Sequence, residues 1–336
     1  MSNQLIRNNK RDYSFDTVGG ILIILVVIWH SFQRAGLGDV FEPVFRVLGF
    51  WMLWFIFKGG VFYKKKPFKV IWTTNKRRIL LPYIIFSAIG FIFFYIFLVY
   101  KLSYNPIEAF YYQFKTLFLY GAVTGNQPLW FFIALFSARL LYTFIYNFIN
   151  SNKNSFRVTG YIFLACLFIF PAVTLYALSL PLKLPRWPSY ICLSTAFFWL
   201  GDCLKSKSFS NLFLIIIILI ECFFWIFYPS YYDMLMCEIK YGNIWCFYLQ
   251  SILGILIINQ LSKQFFYNNN LLAKIGLNTL PVFCIHFIII TILSLLIPYN
   301  SISKSAYLIS ILLGEMVLLP IIIVLIKRSP LKKIIE

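Results

Sequence analysis

The chain has 336 residues, of which 61% are hydrophobic and only 12% are charged, and its mean hydropathy is +0.80. This composition excludes an ordinary soluble domain, because runs of about 18 or more apolar residues are typical of membrane helices. A net charge of +19 would suggest nucleic-acid binding in a soluble protein. Here the Lys and Arg residues gather between apolar runs, as membrane topology and anionic headgroups favour. We therefore expect a lipid bilayer, and no nucleic acid, as the partner of this charge.

The apolar runs predict an all-α polytopic bundle of about ten transmembrane helices, in a single domain that occupies residues 1–336. In chain order the predicted spans are 17–34, 44–63, 79–100, 128–148, 158–180, 190–203, 209–228, 243–261, 279–297 and 305–326. The sixth is short for a span, so it is either tilted or packed inside the bundle.

Loop charges predict the orientation of the bundle. With a cytoplasmic N-terminus, the cytoplasmic segments hold 20 Lys and Arg residues and the outward loops hold 7. This asymmetry is a positive-inside signal and places both termini in the cytoplasm. The longest connection, from Lys101 to Gln127, is then an outward loop and a candidate for substrate contact.

Five ionisable residues fall well inside predicted spans, where a charge is costly and usually has a structural or functional reason. They are His30, Arg139, Glu221, His286 and Glu315. Helix geometry allows all five to share one layer of the bundle. Two interpretations stay open for Arg139: an ion pair with Glu221 or Glu315, or the binding of an anionic or polar substrate.

The two histidines also have two interpretations each. Each is either a hydrogen-bonding contact to a neighbouring helix or a general base, for which imidazole is suited near neutral pH. Asp16 and Gly19 precede His30 by 14 and 11 residues, close to whole helical turns, so all three share a helix face.

Basic residues follow the second span, in the run Lys64-Lys65-Lys66 and at Arg77 and Arg78. They carry the positive-inside signal and could also hold a phosphate-rich molecule such as coenzyme A. Lys58, near the end of the same span, is expected to extend its ammonium group towards the interface. The seven cysteines lack paired spacing, so we expect neither a disulfide framework nor a metal site.

Six segments, in order along the chain, resemble motifs of the acyltransferase 3 family of membrane acyltransferases. They are residues 16–20 with His30, 58–65, 76–83, 128–132, 197–201, and 275–280 followed by His286. Two positions depart from the family pattern. Gly19 stands where the family has a basic residue eleven positions before the histidine, and Gly59 replaces the serine of a Ser-Gly pair. One hypothesis is that Lys58 supplies the missing charge.

The resemblance implies transfer of an acyl group, usually acetyl, from cytoplasmic acyl-coenzyme A to a hydroxyl of a surface polysaccharide or its lipid-linked precursor. His30 would be the general base, since imidazole can take the proton of a poorly nucleophilic hydroxyl. Asp16 would set the helix entry or its electrostatics, and His286 would hold substrate or support the site. Arg77, Arg78 and Lys58 would meet the donor.

The resemblance further implies a multi-pass protein of a bacterial plasma membrane, with acetyl-CoA as a donor substrate and no permanently bound cofactor. A covalent acyl-His30 intermediate and direct transfer both remain open. Two alternative functions also remain: a transporter or flippase of a glycan or lipid-linked sugar, and an acyltransferase-like protein that lost activity with the basic residue at position 19.

Overall fold

Helices form nearly all of the computed structural model, which describes residue 332 and residues 12–329 except 151–152, 180–183, 206, 208, 267, 269 and 298–301. In chain order they are α1 (Ser14–Arg34), α2 (Glu42–Leu48), α3 (Trp51–Val61), α4 (Phe68–Asn75), α5 (Leu81–Ile96), α6 (Pro106–Tyr120), α7 (Trp130–Ile149), α8 (Asn154–Ser179), α9 (Trp187–Leu204), α10 (Asn211–Phe227), α11 (Ile244–Phe265), α12 (Leu271–Gly276), α13 (Thr279–Leu296) and α14 (Lys304–Arg328). The predicted all-α polytopic class is confirmed.

Every one of the ten predicted spans coincides with a helix, although not every helix meets the requirements of a span. Within the described residues, seven helices are long and apolar enough to cross a bilayer, or eight if the bent pair α2–α3 counts as one span. The helices α9 and α10 are not among them. The count of ten and the cytoplasmic position of both termini stay predictions, and residues 1–11 and 333–336 lie outside the described part of the chain.

Helix α9 is the short sixth segment, and it packs inside the bundle. It lies against α3, α7 and α8, and Leu193, Ala196 and Phe197 are fully buried on it. The helix has 18 residues, and because its neighbours are helices on several sides, its surface needs to be less apolar than that of a helix that faces lipid.

The second predicted span, 44–63, is interrupted. Helix α2 ends at Leu48, α3 begins at Trp51, and the two helical segments meet at an angle of 42°. A Cβ at Gly49 would lie 2.9 Å from the Phe45 carbonyl oxygen, so the bend uses the absence of a side chain. Irregular backbone at membrane depth is tolerated where it lines a cavity, and Gly49 does so.

The connection from Lys101 to Gln127 is wrongly predicted as a loop, because it contains the 15 residues of α6. The side chain of Asn105 accepts a hydrogen bond from the Ile107 amide, and Pro106 occupies the first turn, where its missing N–H costs nothing. Aromatic side chains such as Phe110 and Tyr111 are exposed along this helix. A hydropathy average over the segment combines them with polar neighbours, so no apolar run stands out in the sequence here.

A small antiparallel hairpin, β1 (Tyr231–Asp233) and β2 (Glu238–Tyr241), connects α10 to α11. It is fixed to the bundle by its aromatic residues. The Tyr231 ring stacks on Phe45 of α2 with 4.4 Å between centroids, and the Tyr232 hydroxyl lies 3.1 Å from Ser189 Oγ of α9. The hairpin therefore covers the end of the bundle at which α1 finishes.

Helix α1 is central and packs against α11, α12, α13 and α14. Its contact with α12 is backbone to backbone. A Cβ at Gly20 would lie 2.0 Å from the Leu272 carbonyl oxygen, and one at Gly276 would lie 1.7 Å from that of Asp16. No side chain fits at either position, so these glycines fix how α1 and α12 approach each other.

Candidate active site

The structure brings the two histidines together. His30 lies near the end of α1 and His286 lies on α13, with 5.4 Å between ring centroids and 37° between the ring planes. The Phe287 ring contacts His30 edge-on at 5.2 Å. His286 is fully buried, whereas His30 lines an open cavity. Of this pair, His30 is therefore the imidazole that a substrate can reach.

Hydrogen bonds set the orientation of both rings. His286 Nδ1 lies 2.8 Å from the Val282 carbonyl oxygen, which can only accept, so Nδ1 carries the proton. His30 Nδ1 lies 3.1 Å from Gln33 Oε1 and donates to it in the same way, with the Gln33 amide in this orientation. Both rings then carry their lone pair on Nε2. In His30, whose side chain lines the cavity, this nitrogen is the one able to accept a proton.

The cavity has a volume of about 710 Å³ and lies between the end of α1, the α2–α3 bend, the start of α7 and the hairpin. Aromatic side chains dominate its walls, and several hydroxyls and amides point between them. The aromatic residues include Trp29, Trp51, Trp130, Tyr231, Tyr232 and Tyr241, and the amides belong to Gln33 and Gln127. Aromatic walls with a few convergent polar groups are typical of a site for a small organic molecule.

One wall of the cavity is formed by a turn that is hydrogen-bonded to α13 close to His286. Residues Thr124–Leu129 form a short 3₁₀ helix before α7, and Gln127 and Pro128 at its end line the cavity. The buried Asn126 side chain donates from Nδ2 to the Cys284 carbonyl oxygen at 2.8 Å. The turn is thus tied to α13 within one helical turn of His286.

Asp16 and Lys58 form a second group, at the opposite end of α1. Lys58 Nζ lies 3.2 Å from Asp16 Oδ1 and donates to the Phe15 carbonyl oxygen at 3.2 Å. A Cβ built at Gly19 would lie only 3.4 Å from this ammonium nitrogen. The charge of Lys58 therefore occupies the space beside Gly19.

The two groups are well separated. Asp16 and His30 are 14 residues apart on one helix, which corresponds to about 21 Å. Fully buried Leu22 and Ile23 of α1, and Trp54 of α3, occupy the stretch between them. The structure thus brings Asp16 to Lys58 and not to the histidines.

Arg77 and Arg78 lie apart from both groups. They occupy a π-helical turn, Lys76–Leu80, between α4 and α5, and both side chains are exposed. Among the described residues they make no hydrogen bond or ion pair with Asp16 or Lys58. Their position on the basic end of the bundle leaves them open to a solute at that surface.

The other ionisable residues well inside the predicted spans are Arg139, Glu221 and Glu315, for which one interpretation predicted an ion pair. Within the described residues, no ion pair joins Arg139 to Glu221 or to Glu315. The Glu315 carboxylate instead accepts a hydrogen bond from Ser31 Oγ, next in the chain to His30. Both Glu221 oxygens are buried without a partner in the described chain.

Sequence reasoning missed the hairpin as a source of functional residues. Residues from Tyr231 to Met236, together with Lys240 and Tyr241, line the cavity, although the predicted spans left them as a short connection. The signal was present in the polar residues Asp233, Glu238 and Lys240, which interrupt two long apolar runs.

Together these features define a multi-pass, all-α membrane protein with a histidine pair beside an aromatic cavity. Comparison with known proteins identifies its family. A profile of the acyltransferase 3 family, described as an acyltransferase domain, matches residues 12–326. The chain belongs to this family and is a membrane acyltransferase. No curated protein and no solved structure shows a significant match to the chain.

Proposed function

We propose that this protein is an O-acyltransferase of the acetyl group, which uses cytoplasmic acyl-CoA and acts on a hydroxyl of a surface polysaccharide or its lipid-linked precursor. The observation that carries this proposal is the position of His30. Its imidazole lines a cavity large enough for a sugar unit, and its Nε2 is the ring atom left without a proton. The family supports acyl transfer, and the aromatic walls support a carbohydrate acceptor.

In the proposed reaction the acceptor hydroxyl lies against His30 Nε2. The imidazole takes the hydroxyl proton as the oxygen attacks the thioester carbonyl carbon. The new C–O bond forms and the C–S bond breaks. The leaving thiolate of coenzyme A then receives the proton from His30, which restores the neutral ring. A positioned general base typically contributes about 10²–10⁴-fold to the rate.

His286 supports this base in the proposal. Its ring is held by the Val282 carbonyl and packs 5.4 Å from His30, so it restricts the positions that the His30 ring can adopt. A buried neutral imidazole at this distance also limits the water that reaches the base. Formation of an acyl-His30 intermediate, resolved by the acceptor hydroxyl, would use the same two rings.

The donor is proposed to bind at the basic end of α1. Lys58 stands beside Gly19, where related sequences carry their own basic residue, and Arg77 and Arg78 are exposed at the same end of the bundle. Phosphate groups are bound well by such cations. The acyl arm would then extend along α1 past Trp54, over the about 16 Å that separate Gly19 from His30.

The test uses membranes that contain the full-length protein with labelled acetyl-CoA and the producing cell's glycan after mild alkaline removal of its esters. We expect His30→Ala to reduce ester formation by at least about 10²-fold. His286→Ala should retain more activity, because His286 does not reach the cavity. Ester formation that survives in His30→Ala would refute the assignment of the base.

The same variants separate the alternative functions. If the protein were a transporter or flippase, His30→Ala would reduce the amount of glycan at the cell surface and leave its ester content unchanged. If the protein were inactive, the unmutated chain would form no ester in the membrane assay. The acyltransferase proposal expects unchanged glycan export and loss of ester in His30→Ala cells.

A further inference from the structure

The ionisable groups that line the outward cavity are mostly acidic, in contrast to the chain as a whole. The carboxylates of Asp39, Glu42 and Asp233 line it, and Lys240 is the single lysine or arginine among its described lining residues. The chain carries a net charge of +19. The cavity therefore differs in sign from the rest of the protein.

The contacts of these groups show which charges remain uncompensated. Lys240 Nζ binds Glu238 Oε2 at 2.7 Å, and Arg46 binds Glu42 Oε1 at 3.3 Å, so each of these charges is offset by a neighbour. Asp233 Oδ1 accepts a hydrogen bond from the Met236 amide, and Lys240 also lies close enough to act on its charge. The Asp39 side chain is exposed and has no hydrogen bond or ion pair within the described chain.

Two arginines near this end of the bundle, Arg34 and Arg186, lie outside the cavity lining. Arg34 donates to Thr291 Oγ1 and lies over the Phe97 ring, and Arg186 binds the Tyr120 hydroxyl. None of these contacts belongs to the cavity wall. Within the lining itself, three carboxyl groups therefore stand against one ammonium group, and the exposed Asp39 carboxylate keeps the mouth of the cavity negative.

We propose that the sugar unit bound in this cavity carries no negative charge: it has no phosphate, sulfate or carboxylate group, and a free amino group is favoured. The inference rests on the proposed function and narrows the acceptor class. Near the opposite end of α1 stand Lys58 of α3 and, at the same end of the bundle, Arg77 and Arg78, which suit a polyanionic donor. The two ends of the bundle thus separate the two substrates by charge.

The first experiment identifies the esterified residue. Glycan from cells with the unmutated protein and from His30→Ala cells is hydrolysed under conditions that retain esters and compared by mass spectrometry. We expect the ester that depends on His30 on a neutral or amino sugar. An ester on a uronic, sialic or phosphorylated unit overturns this inference and leaves the acyltransferase proposal intact. The absence of any such ester contradicts the acyltransferase proposal itself.

The second experiment tests the cavity directly. The de-esterified glycan is oxidised so that its primary alcohols become carboxylates, and this acidic form competes with the untreated glycan in the membrane assay. We expect it to bind at least about tenfold more weakly than the untreated glycan, since the cavity lining holds three carboxyl groups and one ammonium group. Equal binding of the acidic and untreated forms to the unmutated protein would overturn the inference.

A charge-reversal pair completes the test. Asp39→Lys should reduce the discrimination against the acidic glycan several-fold. Glu108→Lys makes the same charge change on the exposed side of α6, outside the cavity lining, and should preserve the discrimination. If both variants change it equally, the effect comes from the general surface charge and the assignment to the cavity is wrong.

Discussion

The position of Lys58 leads to a prediction about donor binding that an exchange of residues can test. Lys58→Ala removes the ammonium group that binds Asp16 and stands beside Gly19. A charge-assisted hydrogen bond to a phosphate or carboxylate contributes about 1.5–3 kcal/mol, which corresponds to roughly 10–150-fold in affinity. The loss should appear mainly in the KM for acyl-CoA, because Lys58 stands beside Gly19, which lies about 16 Å from His30 along α1.

The variant also affects folding, and this effect has to be measured separately. The Lys58 side chain is 20% exposed and that of Asp16 is 9% exposed, so the pair is only partly screened by water. Removal of one partner leaves a largely buried carboxylate and should cost roughly 1–3 kcal/mol, between the values for exposed and buried pairs. Thermal stability in detergent is therefore recorded beside the kinetics.

The rescue variant adds Gly19→Lys to Lys58→Ala. A side chain at position 19 starts 3.4 Å from the vacated ammonium position and meets Trp54 and Thr279 at 3.6 and 3.7 Å, which are ordinary contacts. Its charge can therefore occupy the same space, and the KM should return to within a few-fold of the original. Gly19→Met in the same background is the uncharged control and should not restore it.

Two results would refute the reasoning. An unchanged KM for acyl-CoA in a folded Lys58→Ala protein would show that this lysine does not meet the donor. Equal rescue by Gly19→Lys and Gly19→Met would show that packing rather than charge was lost.

Three further predictions follow from other parts of the bundle. Gly276→Ala places a methyl group against the Asp16 carbonyl and should lower stability by at least about 1–3 kcal/mol in a detergent melt, whereas Gly19→Ala should not. His286→Gln should reduce kcat by less than His30→Ala does, and an equal loss would assign His286 a direct catalytic role. Burial raises the pKa of Asp233, so the folded state holds this proton more tightly and its contribution to stability falls as pH rises above the ordinary range of a carboxyl. Asp233→Asn should remove that dependence in melts across the acidic range.

Much of the helical architecture follows from the sequence, because each span has to satisfy its own backbone hydrogen bonds in lipid and so leaves a long apolar run. The same argument fails where the chain meets other protein. Helix α9 is buried by its neighbours and carries a weaker apolar signal. The bend at Gly49 lines the cavity. A hydropathy average over many residues does not reveal a break at one glycine.

The candidate site was predicted only in part, for a comparable reason. Burial of a titratable group in an apolar run identified His30 and His286, and the structure places them in contact. Partners on different helices depend on packing, which one sequence does not specify. One interpretation of the sequence therefore paired Arg139 with Glu221 or Glu315, whereas Glu315 accepts a hydrogen bond from Ser31 in the structure. The hairpin residues carry no membrane signal and were left aside.

The geometry of α1 constrains how any acyl transfer must occur. The helix carries Asp16, paired with Lys58 of α3, near one end and His30 near the other, and the glycine contact with α12 opposes sliding of α1 relative to that neighbour. Trp54 lies between the two ends, held by a 2.8 Å hydrogen bond from Nε1 to Asn259 Oδ1 and by the Lys58 ammonium over its ring. A donor phosphate bound by Lys58 would compete with the ring for this ammonium group. In the proposed reaction, donor binding at Lys58 would weaken one of the two contacts that hold Trp54 and so ease passage of the acyl arm towards His30.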